Sequence, residues 1–353
     1  MSQQFNATFS VGIPPWRFPV LSEDGLHIFQ ALHIVCMVIV SIGIVENAVS
    51  LAALYHMRRP FQPLQILITH LAATDLLVLV LALTTSFTVV HIKNSSDPED
   101  KSTFMCVVDV IQDLLMCGVQ LPLVNTTFIL INQILALTYP LRYKILVRTR
   151  VVKIILSVSY AIVAVTYIAF HVAKLATTSQ ENCSKYFAND YSVASLWYLA
   201  VTCTTMCLLN LILNGVLFVK ARAIIGNTGV SRQRATDEID TGTRHNDRKL
   251  VVTVIWLSGT VVIFWTPLAI TFGLRAYITG KEFLTSNEMA VAHMVTGTVG
   301  MVNGLCDPLL YGVRLPEVRD GYKKLLSKIR NAVGSGTVSQ RQSQTVETLS
   351  TSL

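Results

Sequence analysis

The sequence contains little charge and none of the common catalytic motifs. Only 14% of its 353 residues are charged, whereas 52% are hydrophobic, which is too little charge to cover a soluble domain of this length. No HExxH, P-loop or GxSxG sequence is present, and His and Cys do not cluster at metal-binding spacing, so an enzyme has no support. The net charge of +7 includes no basic block with interleaved aromatic residues, which argues against nucleic acid as a partner.

Long apolar segments dominate the chain instead. Seven of them are long enough to cross a bilayer as helices, at about 28–55, 64–91, 105–138, 151–173, 192–219, 249–276 and 288–311. With the N-terminus outside, most of the 28 Lys and Arg residues fall in cytoplasmic loops and the C-terminal tail, as the positive-inside rule requires. The pattern predicts an all-α, multi-pass protein of the plasma membrane with an extracellular N-terminus, a cytoplasmic C-terminus and a seven-helix domain at 28–311.

The segments that face outward carry features of an oxidising, glycosylating compartment. Of the seven cysteines, only Cys106, at the outer end of the third span, and Cys183 lie at the oxidising face, so we expect them to form a disulfide. Three Asn-x-Ser/Thr sequences also face outward and predict glycosylation, at Asn6 in the 1–27 tail, Asn94 and Asn182.

Ionisable residues occur inside the spans. Asp75 lies in the second span, where a carboxylate costs several kcal/mol unless it faces partners or water, so it is a functional candidate. The alternative is a structural carboxylate that hydrogen-bonds to Asn47 of the first span. A transporter would also use intramembrane acids, but the sequence shows none of the repeated halves typical of that class.

Several motifs, taken in order, resemble the rhodopsin-like family of G-protein-coupled receptors. They are Asn47 in the first span, Leu71, Ala72 and Asp75 in the second, Cys106 and Ala136 to Tyr143 at the ends of the third, Phe264-Trp265-Thr266-Pro267 in the sixth and Asp307-Pro308-Leu309-Leu310-Tyr311 in the seventh. The resemblance implies a cell-surface receptor that binds an extracellular ligand and signals through heterotrimeric G proteins.

The resemblance assigns an activation switch to the sixth and seventh spans. Pro267 and Pro308 each remove a backbone donor and bend a helix. Trp265 lies two residues before Pro267, and the resemblance implies that this pair is the hinge that lets the cytoplasmic half of the sixth helix swing out. Tyr311 follows Pro308 in the seventh. The alternative for Trp265 is an aromatic side chain that only fills the bundle.

The same resemblance places Asp75 and Asp307 face to face. With Asn47 and Asn303 nearby, the two carboxylates would form a hard-oxygen site for Na⁺ or a shared proton. Bound Na⁺ would favour the resting state. No other metal or cofactor is expected.

The cytoplasmic end of the third span departs from the family. Asn132-Gln133-Ile134 stands where an acidic-Arg-aromatic triplet is expected, so Asp247 of the sixth span lacks its usual arginine partner. Two hypotheses follow: raised basal activity, or weak G-protein coupling in an atypical arrestin-coupled or scavenging receptor. Cys106 also lies about two residues further from Gln133 than family spacing implies, which predicts a helix irregularity near Gly118 or Pro122.

The ligand pocket is predicted above Trp265. Asp109 and Asp113 are four residues apart on the third span and share a face. If that face points inward, Asp113 would pair with a cationic ligand; the favoured alternative is that Asp113 contacts a neighbouring helix or faces the loop. Leu268, Ala269 and Met301 stand where amine receptors carry aromatic residues, which removes the usual cation support. Residues 287–311 contain no lysine, so a retinal Schiff base is excluded. Local likeness around Leu137 to Tyr143 and Pro308 to Arg314 favours an odorant-like receptor or another chemoreceptor.

The cytoplasmic end has two parts. Residues 312–330 are amphipathic and basic on one side, so they predict an eighth helix lying on the anionic inner leaflet. Residues 331–353 are rich in Ser and Thr and are expected to be disordered, to be phosphorylated by receptor kinases and to recruit arrestin. The ending Thr351-Ser352-Leu353 matches the pattern that PDZ domains bind.

Overall fold

The described part of the protein is entirely helical. The structure, a computed structural model, describes residues 23–57, 60–94, 110–177, 193–231, 240–278 and 287–331, and it has no β-strand within them. The helices are α1 Glu23–Tyr55, α2 Pro63–Asn94, α3 110–118, α4 Gln120–Thr138, α5 Pro140–Leu146, α6 Thr149–Thr177, α7 Val193–Ser231, α8 Asp240–Ile278, α9 Asn287–Arg314 and α10 316–331.

These helices confirm the predicted seven-helix bundle, with α3 and α4 together forming the third member. Six of the seven are long and apolar enough to cross a membrane, judged by length and composition within the described residues. The seventh, α9, is 28 residues long but falls outside this set, because it carries Thr296, Thr298, Asn303 and Asp307. Its polar side chains face the bundle rather than lipid, which is where a membrane protein tolerates them.

The third member is interrupted at Val119, within the region where an irregularity was predicted. Helix α3 ends at residue 118 and α4 begins at Gln120. The Val119 amide still donates to the Leu115 carbonyl over 2.9 Å, so the two parts stay in line. Pro122 lies in the first turn of α4, where its missing N–H costs little.

Two apolar clusters fill the bundle, and a polar layer separates them. The Trp265 cluster includes Val78, Leu123, Leu268, Ala269 and Met301, and the Tyr311 cluster includes Leu54, Leu71, Ile129 and Leu257. Between them along α1, α2, α4 and α9 lie five residues, each at most 3% exposed. We call these the polar belt: Asn47, Asp75, Asn125, Asn303 and Asp307.

Helix α10 packs across the end of α1. Helix α9 runs through Gly312 to Arg314, so the eighth helix begins at residue 316 rather than at 312, after a break at the buried Leu315. The hydroxyls of Tyr322 and Ser50 share a hydrogen bond of 2.5 Å. Gly321 lies against α1, where an added Cβ would be only 2.4 Å from the Ala53 carbonyl oxygen. Glycine is therefore required at this crossing.

Candidate functional site

The centre of the polar belt is a pair of carboxyl groups on α2 and α9. Asp75 and Asp307 are both buried, and their carboxyl groups are close enough to interact electrostatically. The Asn303 amide donates to Asp307 Oδ2 over 3.0 Å, because residues four apart share one face of α9. Two buried carboxylates that interact in this way repel each other, so the pair favours sharing a proton or a cation over carrying two uncompensated negative charges.

Asn47 joins α1 to α9. Its amide donates to the Gly304 carbonyl over 2.7 Å and to the Gly43 carbonyl over 2.9 Å. Both glycines also contact Leu79 of α2: an added Cβ would be 2.9 Å from a Leu79 methyl at Gly43 and 3.2 Å at Gly304. Small residues at these positions allow α1, α2 and α9 to approach closely enough to bring the polar belt together.

Four buried oxygen atoms of the belt have no hydrogen-bond partner among the described protein atoms. They are Asn47 Oδ1, Asp75 Oδ2, Asn303 Oδ1 and Asp307 Oδ1. Buried acceptors of this kind are costly unless they meet a cation, a proton or water. Carboxylate and amide oxygens are hard ligands suited to Na⁺, so these residues fit the predicted cation. Within the described residues, no group of three His, Cys, Asp or Glu forms a site for another metal.

The polar belt extends through Asn125, which the sequence analysis did not identify. The Asn125 amide donates to Thr74 Oγ1 over 2.9 Å, and the Tyr160 hydroxyl donates to Asn125 Oδ1 over 2.7 Å. This chain of hydrogen bonds therefore connects α6 and α4 to α2 at Thr74, the residue next to Asp75. An asparagine in the middle of the third apolar segment was the available signal.

Trp265 lies above the belt and against α9. It is 3% exposed, and an added Cβ on Gly300 would be 3.4 Å from its ring. Pro267 lies inside α8 and Pro308 inside α9, so both predicted bending points lie within continuous helices. Leu268, Ala269 and Met301 belong to the same apolar cluster as Trp265.

Of the two acidic residues predicted for the pocket, the structure describes Asp113 but not Asp109. Asp113 lies on α3, is partly buried and makes a polar contact of its own. Asp109 lies outside the described residues, as do the predicted disulfide and two of the predicted glycan sites, at Cys106, Cys183, Asn6 and Asn182. Asn94 is the last residue of α2, and its side chain is not among those described.

The residues that depart from the family pattern at the end of α4 are buried. Asn132 and Gln133 both lie inside the bundle, and the Tyr143 hydroxyl of α5 donates to Asn132 Oδ1 over 2.9 Å. Burial raises the pKa of Tyr143, and the bond to Asn132 partly offsets this. Asp247 lies on α8, but its side chain is outside the described set. Tyr311 is fully buried among the apolar residues near this end.

Helix α7 is joined to two neighbours by asparagines that the sequence analysis also missed. The Asn210 amide donates to Thr127 Oγ1 of α4 over 3.0 Å. One turn further along, the Asn214 amide donates to the Ile255 carbonyl of α8 over 3.3 Å. These contacts couple α7 to both α4 and α8.

Comparison with known proteins agrees with this architecture. The family model described as 7 transmembrane receptor (rhodopsin family) matches residues 46–311. The chain belongs to the rhodopsin family of seven-transmembrane receptors. The match includes the polar belt, Trp265 and both prolines, and it confirms the resemblance drawn from the motifs.

Family membership determines the general class of this receptor. The family consists of membrane receptors that couple to G proteins, not of enzymes. One relative is trace amine-associated receptor 13c of Danio rerio, which is 22% identical over 328 residues, covering 88% of this chain and 91% of that protein. An identity this low supports the shared receptor class and leaves the ligand open.

Proposed function

We propose that this rhodopsin-family receptor is a chemoreceptor of the plasma membrane, with its N-terminus outside, that binds a small extracellular ligand beside Trp265. In this proposal it passes the signal through the polar belt to a heterotrimeric G protein. The observation that carries the proposal is the position of the belt, between the Trp265 and Tyr311 clusters. A change at Trp265 must therefore pass the carboxyl pair before it reaches the cytoplasmic end.

The contact between α8 and α9 explains how the signal would begin. The Trp265 ring lies against Gly300, and Asn303 and Asp307 follow Gly300 by one and two turns of α9. A ligand that shifts Trp265 would displace α9 relative to α2 and alter the contact between Asp307 and Asp75. Pro267 and Pro308 supply the points where the two helices bend.

The cation site predicts a dependence of stability on Na⁺. A cation that binds only the folded resting state stabilises it by RT ln(1 + [Na⁺]/Kd), about 1.4 kcal/mol at a tenfold excess over Kd. We expect thermal unfolding of the purified receptor in nanodiscs to occur at higher temperature in NaCl than in N-methyl-D-glucamine chloride, and Asp75→Asn to remove the difference.

Glu46→Gln provides the matched control, because Glu46 is a partly buried acid of α1 outside the polar belt. This variant should keep the Na⁺ effect. An unfolding temperature that is equal in both salts for the unmodified receptor would rule out the cation site, and a shared proton would then be the remaining role of the pair.

One observation favours the second candidate, an atypical arrestin-coupled or scavenging receptor. Gln133 is neutral and buried where the family uses arginine to reach the G protein. The C-terminal tail offers seven residues for receptor kinases and arrestin, Ser335, Thr337, Ser339, Ser343, Thr345, Thr348 and Ser350, and Leu353 for a PDZ protein. Cells expressing the receptor separate the candidates: arrestin recruitment without a second messenger, with second-messenger activity gained in Gln133→Arg, would establish the alternative.

A further inference from the structure

We propose that the Trp265 cluster binds an uncharged, largely apolar molecule whose hydrogen-bond acceptor pairs with the indole N–H of Trp265. This inference rests on the proposed function, because it names the ligand class of the same site. A ketone, aldehyde or ester of moderate size has the required chemistry.

The apolar character of the cluster comes from its side chains. Around Trp265 lie Leu115, Leu268, Ala269 and Met301, with further aliphatic and sulfur-containing side chains behind them. Among the described residues, the fully buried acids are Asp75 and Asp307, which lie one layer deeper in the polar belt. The described side chains of this layer therefore offer a ligand hydrocarbon, sulfur and a few uncharged polar groups, and no fully buried acid.

The indole N–H supplies the specific polar contact. Trp265 Nε1 is buried and has no acceptor among the described protein atoms. An unsatisfied buried donor costs about 1–3 kcal/mol. A ligand carbonyl oxygen that accepts a hydrogen bond from the indole N–H would remove that cost. At this position, an acceptor therefore increases binding affinity more than an additional methyl group would.

A second polar contact is available between α4 and α7. Gln120 is buried, and its Oε1 accepts a hydrogen bond from the Tyr198 hydroxyl over 3.4 Å, which is long for such a bond. The Tyr198 ring packs on Phe170 with centroids 4.9 Å apart, which holds the hydroxyl in place. A ligand can replace this weak hydrogen bond at little cost. The Gln120 amide and the Tyr198 hydroxyl would then orient the bound ligand.

A cationic ligand fits the same cluster poorly. An ammonium group buried among Leu268, Ala269 and Met301 would lack a counter-ion. The faces of Trp265 and Phe272 in the same cluster would contribute less than the desolvation of an unpaired charge costs. Asp113 is only partly buried and already makes a polar contact. We therefore expect an amine to bind at least about tenfold more weakly than a ketone with the same carbon skeleton.

Matched pairs of probes test this selectivity. Purified receptor in nanodiscs is titrated with 2-heptanone against 2-aminoheptane, and with 4-phenyl-2-butanone against 4-phenyl-2-butylamine, with thermal stabilisation and tryptophan fluorescence as readouts. We expect saturable binding of the ketones and at least tenfold weaker binding of the amines. Tighter binding of the amines, or no saturable binding by either class, would overturn the inference.

Variants locate the binding site. Trp265→Phe keeps the aromatic bulk and removes the N–H, so it should weaken ketone binding about tenfold. Trp256→Phe is the control, because Trp256 is 55% exposed on the opposite side of α8. If Trp265→Phe does not fold, Gln120→Leu tests the second contact; unchanged ketone affinity in the variant that folds would also refute the inference. This binding assay contains no G protein, so it tests the ligand class alone. A receptor that binds ketones here but does not stimulate nucleotide exchange in a separate assay with G protein would contradict only the coupling proposal.

Discussion

Tyr160 lies outside the family motifs, and its hydrogen bond gives the sharpest test of the polar belt. The Tyr160 hydroxyl donates to Asn125 Oδ1 over 2.7 Å, and Asn125 has no exposed surface. Tyr160→Phe removes the donor, preserves the ring and leaves a buried amide oxygen unpaired. We expect the receptor to be destabilised through the loss of one contact between α6 and α4.

The size of the effect follows from the environment of the bond. An unpaired buried acceptor costs about 1–3 kcal/mol. Hydrogen bonds between membrane helices contribute about 0.6 kcal/mol on average and at most about 1.7 kcal/mol. Because this bond is short and its acceptor residue Asn125 is fully buried, we expect about 1–1.7 kcal/mol. A change of 1 kcal/mol lowers the unfolding temperature by about 2–4 °C for folds of 150–250 residues, and by less in larger ones.

The assay is thermal unfolding of purified receptor in nanodiscs, followed by intrinsic fluorescence. Tyr198→Phe is the matched control, because the Tyr198 hydroxyl donates to Gln120 Oε1 over a longer 3.4 Å and should matter less. A loss in Tyr198→Phe equal to or larger than that in Tyr160→Phe would refute the reasoning from bond length and burial.

Two further predictions concern helix α10, the amphipathic helix that follows the seven-helix bundle. Gly321→Ala places a methyl group 2.4 Å from the Ala53 carbonyl oxygen, so α10 must move away from α1. A fluorophore attached at residue 326 should therefore become more mobile. Gly215→Ala is the control, because no atom lies within 4 Å of the added Cβ, and it should leave the mobility of the fluorophore unchanged. Burial raises the pKa of Tyr322 above its ordinary value of 10.0, with the Ser50 hydrogen bond lowering it in part. The protonated hydroxyl is therefore favoured in the folded state, and its contribution to stability is full below pH 10 and is lost as the pH rises through the folded pKa. Mobility of the same fluorophore should rise over this range, and Tyr322→Phe should remove that component; an identical pH profile in the variant would show that another group is responsible.

The motifs predicted the fold well because they are tied to helix geometry. Apolar segments longer than a bilayer is thick predicted the helices, and the spacing between Cys106 and Gln133 predicted an irregularity that occurs at Val119. The eighth helix begins four residues later than expected, because nothing in Gly312 to Arg314 stops the hydrogen bonding of α9. The break falls at Leu315 because Pro316 follows it: a proline disfavours helical geometry at the preceding residue and suits the first position of the next helix, so this signal was available in the sequence.

The contacts between helices were harder to predict. Asn125, Asn210 and Asn214 appear in the sequence as isolated amides in apolar segments, and no periodic pattern shows which neighbour each one meets. Their partners are a tyrosine, two threonine hydroxyls and backbone carbonyls, and such pairings depend on the rotation of each helix. Asp75 and Asp307 were associated beforehand only through the family motif.

Nucleotide exchange on a purified heterotrimeric G protein tests the central claim most directly. The receptor in nanodiscs and its Gln133→Arg variant are compared with empty nanodiscs, in Na⁺-free buffer and in NaCl. We predict exchange above that of empty nanodiscs, suppression by NaCl that Asp75→Asn abolishes, and faster exchange for Gln133→Arg. If neither receptor exceeds empty nanodiscs with any G-protein class, signalling through G proteins would be contradicted.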